Sequence, residues 1–355
     1  VLGHDTEFFL FDKVLGRAVP AHSHGIPKDK RTTHSDWSAH GSYFRDGYAV
    51  EINSSPGKCS AKFWTDIHHV LKEAAEIHLP PHVTYISDPI VPVNLKEDII
   101  KGPEDVKRLG CNPTYDPYRR EIKEITIDPL TLPFRTSGAH LHLSLSSPNS
   151  NIPLSGCANL AKLADLLLGL PFTIIFGDDK EFQRRELYGQ AGEFRPQNYG
   201  GSPGFEYRVL SSRLYNHPAI YGLFLAIWKY VFSYKANEII TGVLPTNPAL
   251  DNALQKAINL GQGGEALLEE FSSFLKKNPL PRDSAGMGGV AYIPKDWGAA
   301  ILKLKAKRLA GDFDELGVLT HTDGHWGWYE ANTGKINGST IGKTSGVKKE
   351  APWKL

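Results

Sequence analysis

The chain has 355 residues, 41% apolar and 22% charged, with a formal net charge of +1. That length suits one large α/β domain with insertions, or two domains. The charge balance argues against nucleic acid or an anionic membrane as the main partner, although a local basic cluster could still hold phosphates.

The first element is strand-like, Val1 to Phe11, with Asp5 and Glu7 two apart and therefore on one face. An aromatic run follows these acids, which argues for a site over a solvated edge. No signal-peptide pattern opens the sequence, so the expected location is cytoplasmic. Residues 18–42, rich in His, Ser, Gly and Lys, read as a long loop. His22, His24, His34 and His40 lack a spacing that would gather them on one face. Asp46 to Asn53 reads as the next strand, with Glu51 and Asn53 sharing a face. A helix over about 61–78 ends at Pro80-Pro81. Residues 83–93 predict one apolar strand, and 94–120 an irregular insertion.

The strongest pattern is Gly138-Ala139-His140-Leu141-His142-Leu143-Ser144-Leu145. Its alternation is strict, so His140, His142 and Ser144 face one way and the leucines the other. Imidazoles are costly to bury without partners, and Gly138 allows close approach to the backbone. Residues 160–170 read as an apolar helix. The stretch 179–195 concentrates Arg184, Arg185, Tyr188-Gly189, Gly192 and Arg195. Gly204 to Ser211 is a third alternating strand, with Glu206 and Arg208 on one face. Helices are expected over 216–237, 264–277 and 297–309, and an irregular tail from Gly311. The run 219–232 is interrupted by Lys229 and is too short to span a membrane. Cys59, Cys111 and Cys157 lie far apart without CxxC spacing, which excludes a disulfide framework or zinc knuckle and fits a reducing compartment.

Carboxylates on three strands, with one or two imidazoles, suit divalent cations, and oxygen-rich ligation favours Mg²⁺ or Mn²⁺ over zinc. Arginines suit a polyphosphate. Metals with arginines around a nucleotide serve phosphoryl transfer. Neither GxxxxGK[ST] nor GxGxxG occurs, which argues against P-loop and Rossmann nucleotide sites.

Gly3-His4-Asp5-Thr6-Glu7-Phe8-Phe9-Leu10-Phe11-Asp12 resembles the glutamine synthetase strand bearing Glu-x-Glu, with Asp5 in place of a glutamate. Gly138 to Leu145 resembles the GxHxHxSL strand of those enzymes, and Phe205-Glu206-Tyr207-Arg208 their late Glu-x-Arg strand. Asp46 with Val50-Glu51-Ile52-Asn53 and Pro56 is similar to the acidic strand of the γ-glutamylcysteine ligase branch. The run from Arg185 to Arg208 is most like the small phage carboxylate–amine ligases, the amidoligase type 2 group. The resemblance covers about 1–235.

It implies an α+β fold: a curved antiparallel sheet forming a half-barrel, with helices on its outer face. The catalytic core would be 1–235, with 236–310 its helical C-terminal part and 311–355 a tail. It implies an ATP-dependent ligase that forms an amide through an acyl phosphate, with Mg²⁺ or Mn²⁺. Asp5, Glu7, Glu51, His140 and Glu206 would be metal ligands. Asp46 would be a further ligand or would orient substrate. His142 and Ser144 would contact the nucleotide. Arg208, Arg195, Arg185 and Arg135 would hold phosphates or the substrate carboxylate, with Arg208, Arg195 and Glu51 at the catalytic centre. The partners would be small-molecule or peptide carboxylates and amines, in a cytoplasm that for the phage branch is the infected host's. Homo-oligomers are known in the superfamily and are not required here. The rival readings are a zinc amidohydrolase, for which His-x-His on a strand is also suited; a non-catalytic nucleotide-binding or virion-associated descendant; and, more distantly, a guanidino kinase.

Overall fold

The computed structural model describes residues 2–35, 38–57, 60–109, 114–124, 126–144, 154–216, 218–229, 247–279 and 296–311. Its centre is β1 (Leu2–Asp12), eleven residues long. The first half of β1 pairs antiparallel with β5 (Ala49–Ser54) on one side and β11 (Ala139–Ser144) on the other. Its second half leaves those neighbours and pairs with β2 (Arg17–Val19) and β6 (Val83–Ile86). From β5 the sheet runs outward to β4 (Ser38–Asp46) and β3 (Arg31–Ser35). From β11 it runs to β13 (Ser202–Tyr207), β12 (Phe194–Tyr199), β8 (Thr114–Asp116) and β9 (Glu121–Lys123). Every pairing is antiparallel, and β7 (Ile90–Pro92) with β10 (Phe134–Thr136) makes a separate ribbon. The fold is α+β, a large antiparallel sheet with helices.

Alternation along the strands separates two faces. Leu2, Phe8 and Leu10 of β1, Leu141 and Leu143 of β11, and Phe205 and Tyr207 of β13 are buried in one core. Each such side chain contributes roughly 1.5–3 kcal/mol by leaving water. Against this face pack α1 (Ser60–His78) and α5 (Pro218–Ile227), and also a continuous helical run. That run comprises α2 (Leu154–Ala164), a π turn at Asp165–Gly169 and α3 (Leu170–Phe176). Leu154–Phe176 is long and apolar enough to cross a membrane by length and composition alone, yet its most apolar 18-residue stretch is 89% buried within the fold, as in a core helix. After α4 (Asp179–Leu187), the C-terminal part adds α6 (Pro248–Leu260), α7 (Leu268–Lys277) and α8 (Trp297–Leu309).

Several expectations need correction. Residues 18–42 are not a loop: they hold β2, a 3₁₀ turn, β3 and the start of β4. Their polar composition hid strands that need only one apolar side chain in two. Residues 83–93 form two short strands in different sheets, separated before Pro89. The 94–120 stretch carries a π-helical turn at Leu95–Ile100 and strand β8. The helix expected over 216–237 is seen as α5, and its part beyond 229 lies outside the described residues, as do Cys59, Cys111 and the tail from 312. Cys157 is a buried free thiol.

Candidate active site

The polar side chains of five strands meet on the sheet face opposite that core, and the strand register explains how. Glu7 lies opposite Glu51, and Asp5 opposite both Asn53 and His140. His142 lies opposite Glu206, and Glu206 opposite Arg195. Residues paired across antiparallel strands share a face. Asp5, Glu7, Glu51, His140, His142, Glu206 and Arg195 therefore form one patch, although they lie as far apart in the chain as Asp5 and Glu206.

Asp46 joins the patch through a turn. Were 46–53 a single strand, Asp46 and Glu51 would face opposite ways. Instead the chain reverses at Gly47-Tyr48, with Gly47 at φ +56°, and Asp46 sits opposite Ala49. Carboxylate oxygens of Glu7, Asp46 and Glu51 then lie within 4.8 Å of one another. Glu7 accepts the Gly138 N–H at 2.6 Å, and Glu51 accepts from the Asn53 amide at 2.7 Å. Burial, with the nearby Asp46 charge, pushes the Glu7 carboxyl up to about 8. Glu51 is raised well above its ordinary value by burial and by Asp5, Glu7 and Asp46, and Asp46 is raised mainly by burial.

The other half of the patch is internally neutralised. His140 Nδ1 pairs with Asp5 and lies 3.6 Å from Glu206. His142 Nε2 is 3.0 Å from Asp5, while its Nδ1 meets the Tyr199 hydroxyl. Burial would raise Asp5, but the two imidazoles outweigh it and hold the carboxyl well below its ordinary range. Glu206 pairs with Arg208, accepts from Gln197 and lies 3.8 Å from Arg195. Burial opposes its ionisation, but Arg208 and His140 keep its pKa low. Burial lowers His140, whereas Asp5 overcomes burial to raise His142. Ser144 follows on the same strand face, half-buried, opposite Gly204.

Two expected phosphate ligands are elsewhere. Arg135 is buried, and its guanidinium donates to the carbonyls of Leu132, Phe134, Val106 and Pro129. Arg185 is buried against the Ile258 carbonyl and Glu181. Arg135 serves backbone carbonyls inside the fold, whereas Arg185 keeps Nε and Nη2 buried without a hydrogen-bond partner; these contacts of the two arginines are with groups outside the patch. The sequence reading also passed over Gln197 and Tyr199. Their strand carries Pro196 and lacks an apolar alternation, but the Gly200-Gly201 pair, at φ +61° and +90°, is a hairpin signal.

The donor chemistry of Glu7, Asp46 and Glu51 fits a hard divalent cation: three carboxylates converge, and their pKa values are raised first by burial and then by one another's charge and that of Asp5, against the lowering pull of Arg208 and His140. The antiparallel sheet thus carries an acidic cluster beside arginine and histidine on one face. Residues 131–276 match the family model of the phage phiEco32-like COOH.NH2 ligase-type 2, which bears out the resemblance over that stretch, about two fifths of the chain. The match supports a carboxylate–amine ligase. It takes in His140, His142, Arg195, Glu206 and Arg208, and the acidic cluster comes from strands outside it. No curated protein matches the chain. A solved bifunctional glutathione synthetase from Pasteurella multocida is similar at 13% identity with a TM-score of 0.44, over 89% of this chain and 50% of that one. The chain thus spans half the length of that structure.

Proposed function

We propose that this chain is an ATP-dependent carboxylate–amine ligase working on the polar sheet face, with the catalytic groups all within 1–235. The observation that carries the reading is the placement of the Glu7, Asp46 and Glu51 cluster on the same face as Glu206, Arg208 and Arg195. Mg²⁺ or Mn²⁺ held by the three carboxylates would supply charge neutralisation for a polyphosphate. Arg208 and Arg195 would grip phosphate or carboxylate oxygens through paired N–H donors. Glu206 aims Arg208, and Asp5 holds both histidines, leaving His142 and Ser144 at the nucleotide end. The γ-phosphoryl group passes to the substrate carboxylate as ADP leaves. The amine then attacks the acyl carbon, phosphate departs with the bonding pair, and the nitrogen gives up one proton. Fixed charges act here without reorganising as the transferred group develops charge. On this reading the antiparallel sheet would be the curved half-barrel of the glutamine synthetase superfamily, and the protein would act in the cytoplasm.

The donor set speaks against zinc hydrolysis. Among the described residues, the convergent group is all carboxylate, while His140 and His142 face Asp5 and tyrosines. The test is ATP turnover with Mg²⁺ against pooled carboxylates and amines, with Glu206→Ala as control. ADP and phosphate release that needs both pools and disappears in the variant supports the ligase. Absence of ATP binding together with tightly held zinc would overturn it.

A further inference from the structure

Tyr188 lies beneath this patch in a setting the proposed chemistry has not used. It follows α4 directly, in extended backbone at φ −152° and ψ 144°, and is 1% exposed. Its hydroxyl meets Nε2 of His140. Two guanidinium groups lie over its ring, with the Arg184 carbon 4.9 Å and the Arg208 carbon 5.2 Å from the ring centroid. Arg184 is itself fixed by the carbonyls of Ser137, Val209 and Leu210 at 2.7, 2.9 and 2.7 Å. The ring therefore packs against a fixed support, Arg184, while also contacting Arg208. Gly138 makes room for the arrangement: a Cβ there would lie 2.5 Å from His140 Nε2 and 2.7 Å from the Tyr188 oxygen.

Hydrogen-bond chemistry then sets the protons. An ionised carboxylate only accepts, so the Asp5 contact requires hydrogen on His140 Nδ1. A neutral ring with Nδ1–H has its lone pair on Nε2, and the group facing that lone pair, the Tyr188 hydroxyl, is the donor. We infer that Tyr188 is a positioning residue: its hydroxyl caps His140 Nε2, so that the imidazole serves as a donor to Asp5, and its ring seats Arg208 beside Glu206. The hydroxyl and the ring thus act on two different parts of the site. The effect on turnover rests on the ligase reading; the protonation pattern does not.

The experiment uses full-length protein labelled with ¹⁵N-histidine, with the His140 signals assigned by their loss in His140→Gln. Wild type is expected to show a protonated Nδ1 and a bare Nε2. Tyr188→Phe is expected to move the Nε2 resonance toward that of a nitrogen accepting no hydrogen bond. A protonated Nε2 in wild type, or an unmoved Nε2 in the variant, overturns the assignment. Should Tyr188→Phe not fold, 3-fluorotyrosine labelling strengthens the donor without changing its place. It is expected to move Nε2 in the opposite direction, and an unmoved signal again refutes the bond. In turnover, Tyr188→Phe is expected to lower kcat about tenfold with KM for ATP unchanged, whereas Tyr188→Leu, which also removes the ring, raises that KM. An unaltered KM in Tyr188→Leu overturns the seating of Arg208. A wild type with the expected His140 protonation but no ATP binding and tightly held zinc refutes the ligase and leaves the Tyr188 arrangement standing.

Discussion

Replacing Glu7 by Gln should stabilise the metal-free protein at alkaline pH while removing its response to divalent cations. Glu7 is 6% exposed, and its carboxyl is pushed from 4.5 to about 8 by burial and by Asp46. The folded state therefore keeps a proton that the unfolded chain releases, so stability falls as pH rises from about 4.5 to about 8 and is flat beyond. At 1.36 kcal/mol per pH unit, the loss accumulated by pH 7 has an upper limit on the order of 3 kcal/mol. Asp46 and Glu51 share the same field, so one substitution recovers only part of it. Glutamine keeps an oxygen for the Gly138 N–H and does not titrate in this range. Thermal unfolding in EDTA, compared at pH 6 and pH 8.5, should show wild type losing a few degrees more than Glu7→Gln. Adding Mg²⁺ or Mn²⁺ should raise the wild-type midpoint, more at pH 8.5 than at pH 6, because binding requires the ionised carboxylate. A Glu7→Gln protein that melts lower than wild type at pH 8.5 in EDTA would refute the idea that the cluster carries surplus negative charge.

Asp165 should give a second pH signature away from the site. It is fully buried and accepts from Tyr118 and Tyr207 at 2.6 and 2.7 Å, and burial raises it to about 7. Its contribution to stability should fall between about pH 4 and pH 7, and urea unfolding of Asp165→Asn should show a flatter profile over that window. Arg135→Lys should cost several kcal/mol in the same assay, because a single ammonium cannot serve four carbonyls, yet leave nucleotide affinity of the folded protein unchanged. Arg208→Lys should fold and lose at least tenfold in ATP turnover, because the ammonium lacks the paired donors of a guanidinium. Leu141→Ala, on the core face of the same strand as His140, should cost about 2–5 kcal/mol in chemical unfolding.

The strands with strict alternation were legible because the pattern itself states which face is buried. Asp5, Glu7, Glu51, His140, His142, Glu206 and Arg208 were each placed on a polar strand face from sequence, and the register brings those faces together. Asp46 was harder to place, since its membership depends on a reversal at Gly47 that turns an apparent single strand into a hairpin. Arg135 and Arg185 were expected to hold phosphate, and the sequence could not separate such a role from burial, because a guanidinium set against backbone carbonyls, as Arg135 is, has the same composition as one awaiting phosphate. Strands β3, β4 and β12 were missed for a related reason: polar side chains and a proline remove the apolar rhythm, while the backbone ladder that defines the strand leaves no mark on composition. Tyr188 was visible only as part of a run of arginines and glycines. Its importance arises from contacts 48 residues away, which no local pattern encodes.

The two halves of the polar face differ in how their charge is balanced, and that difference argues for a division of work. Asp5 has two imidazoles, and Glu206 has Arg208, Gln197 and His140. These carboxylates are held ionised by fixed neighbours, so they are ready before any ligand arrives. Glu7, Asp46 and Glu51 are not balanced in this way: the charges of Arg208 on Glu7 and Asp46, and of His140 on Asp46, are outweighed mainly by burial, and the raised pKa values make the metal-free cluster a cost to the fold. A purely structural acidic cluster would be relieved by any mutation that removed one of its members. Its position beside a preorganised arginine–histidine half gives the cost a use: the missing positive charge is one that a divalent cation could bring, and it would arrive next to the groups suited to polyphosphate. Binding of the cation would then be coupled to deprotonation of Glu7, so the site would assemble its charge only when it is loaded.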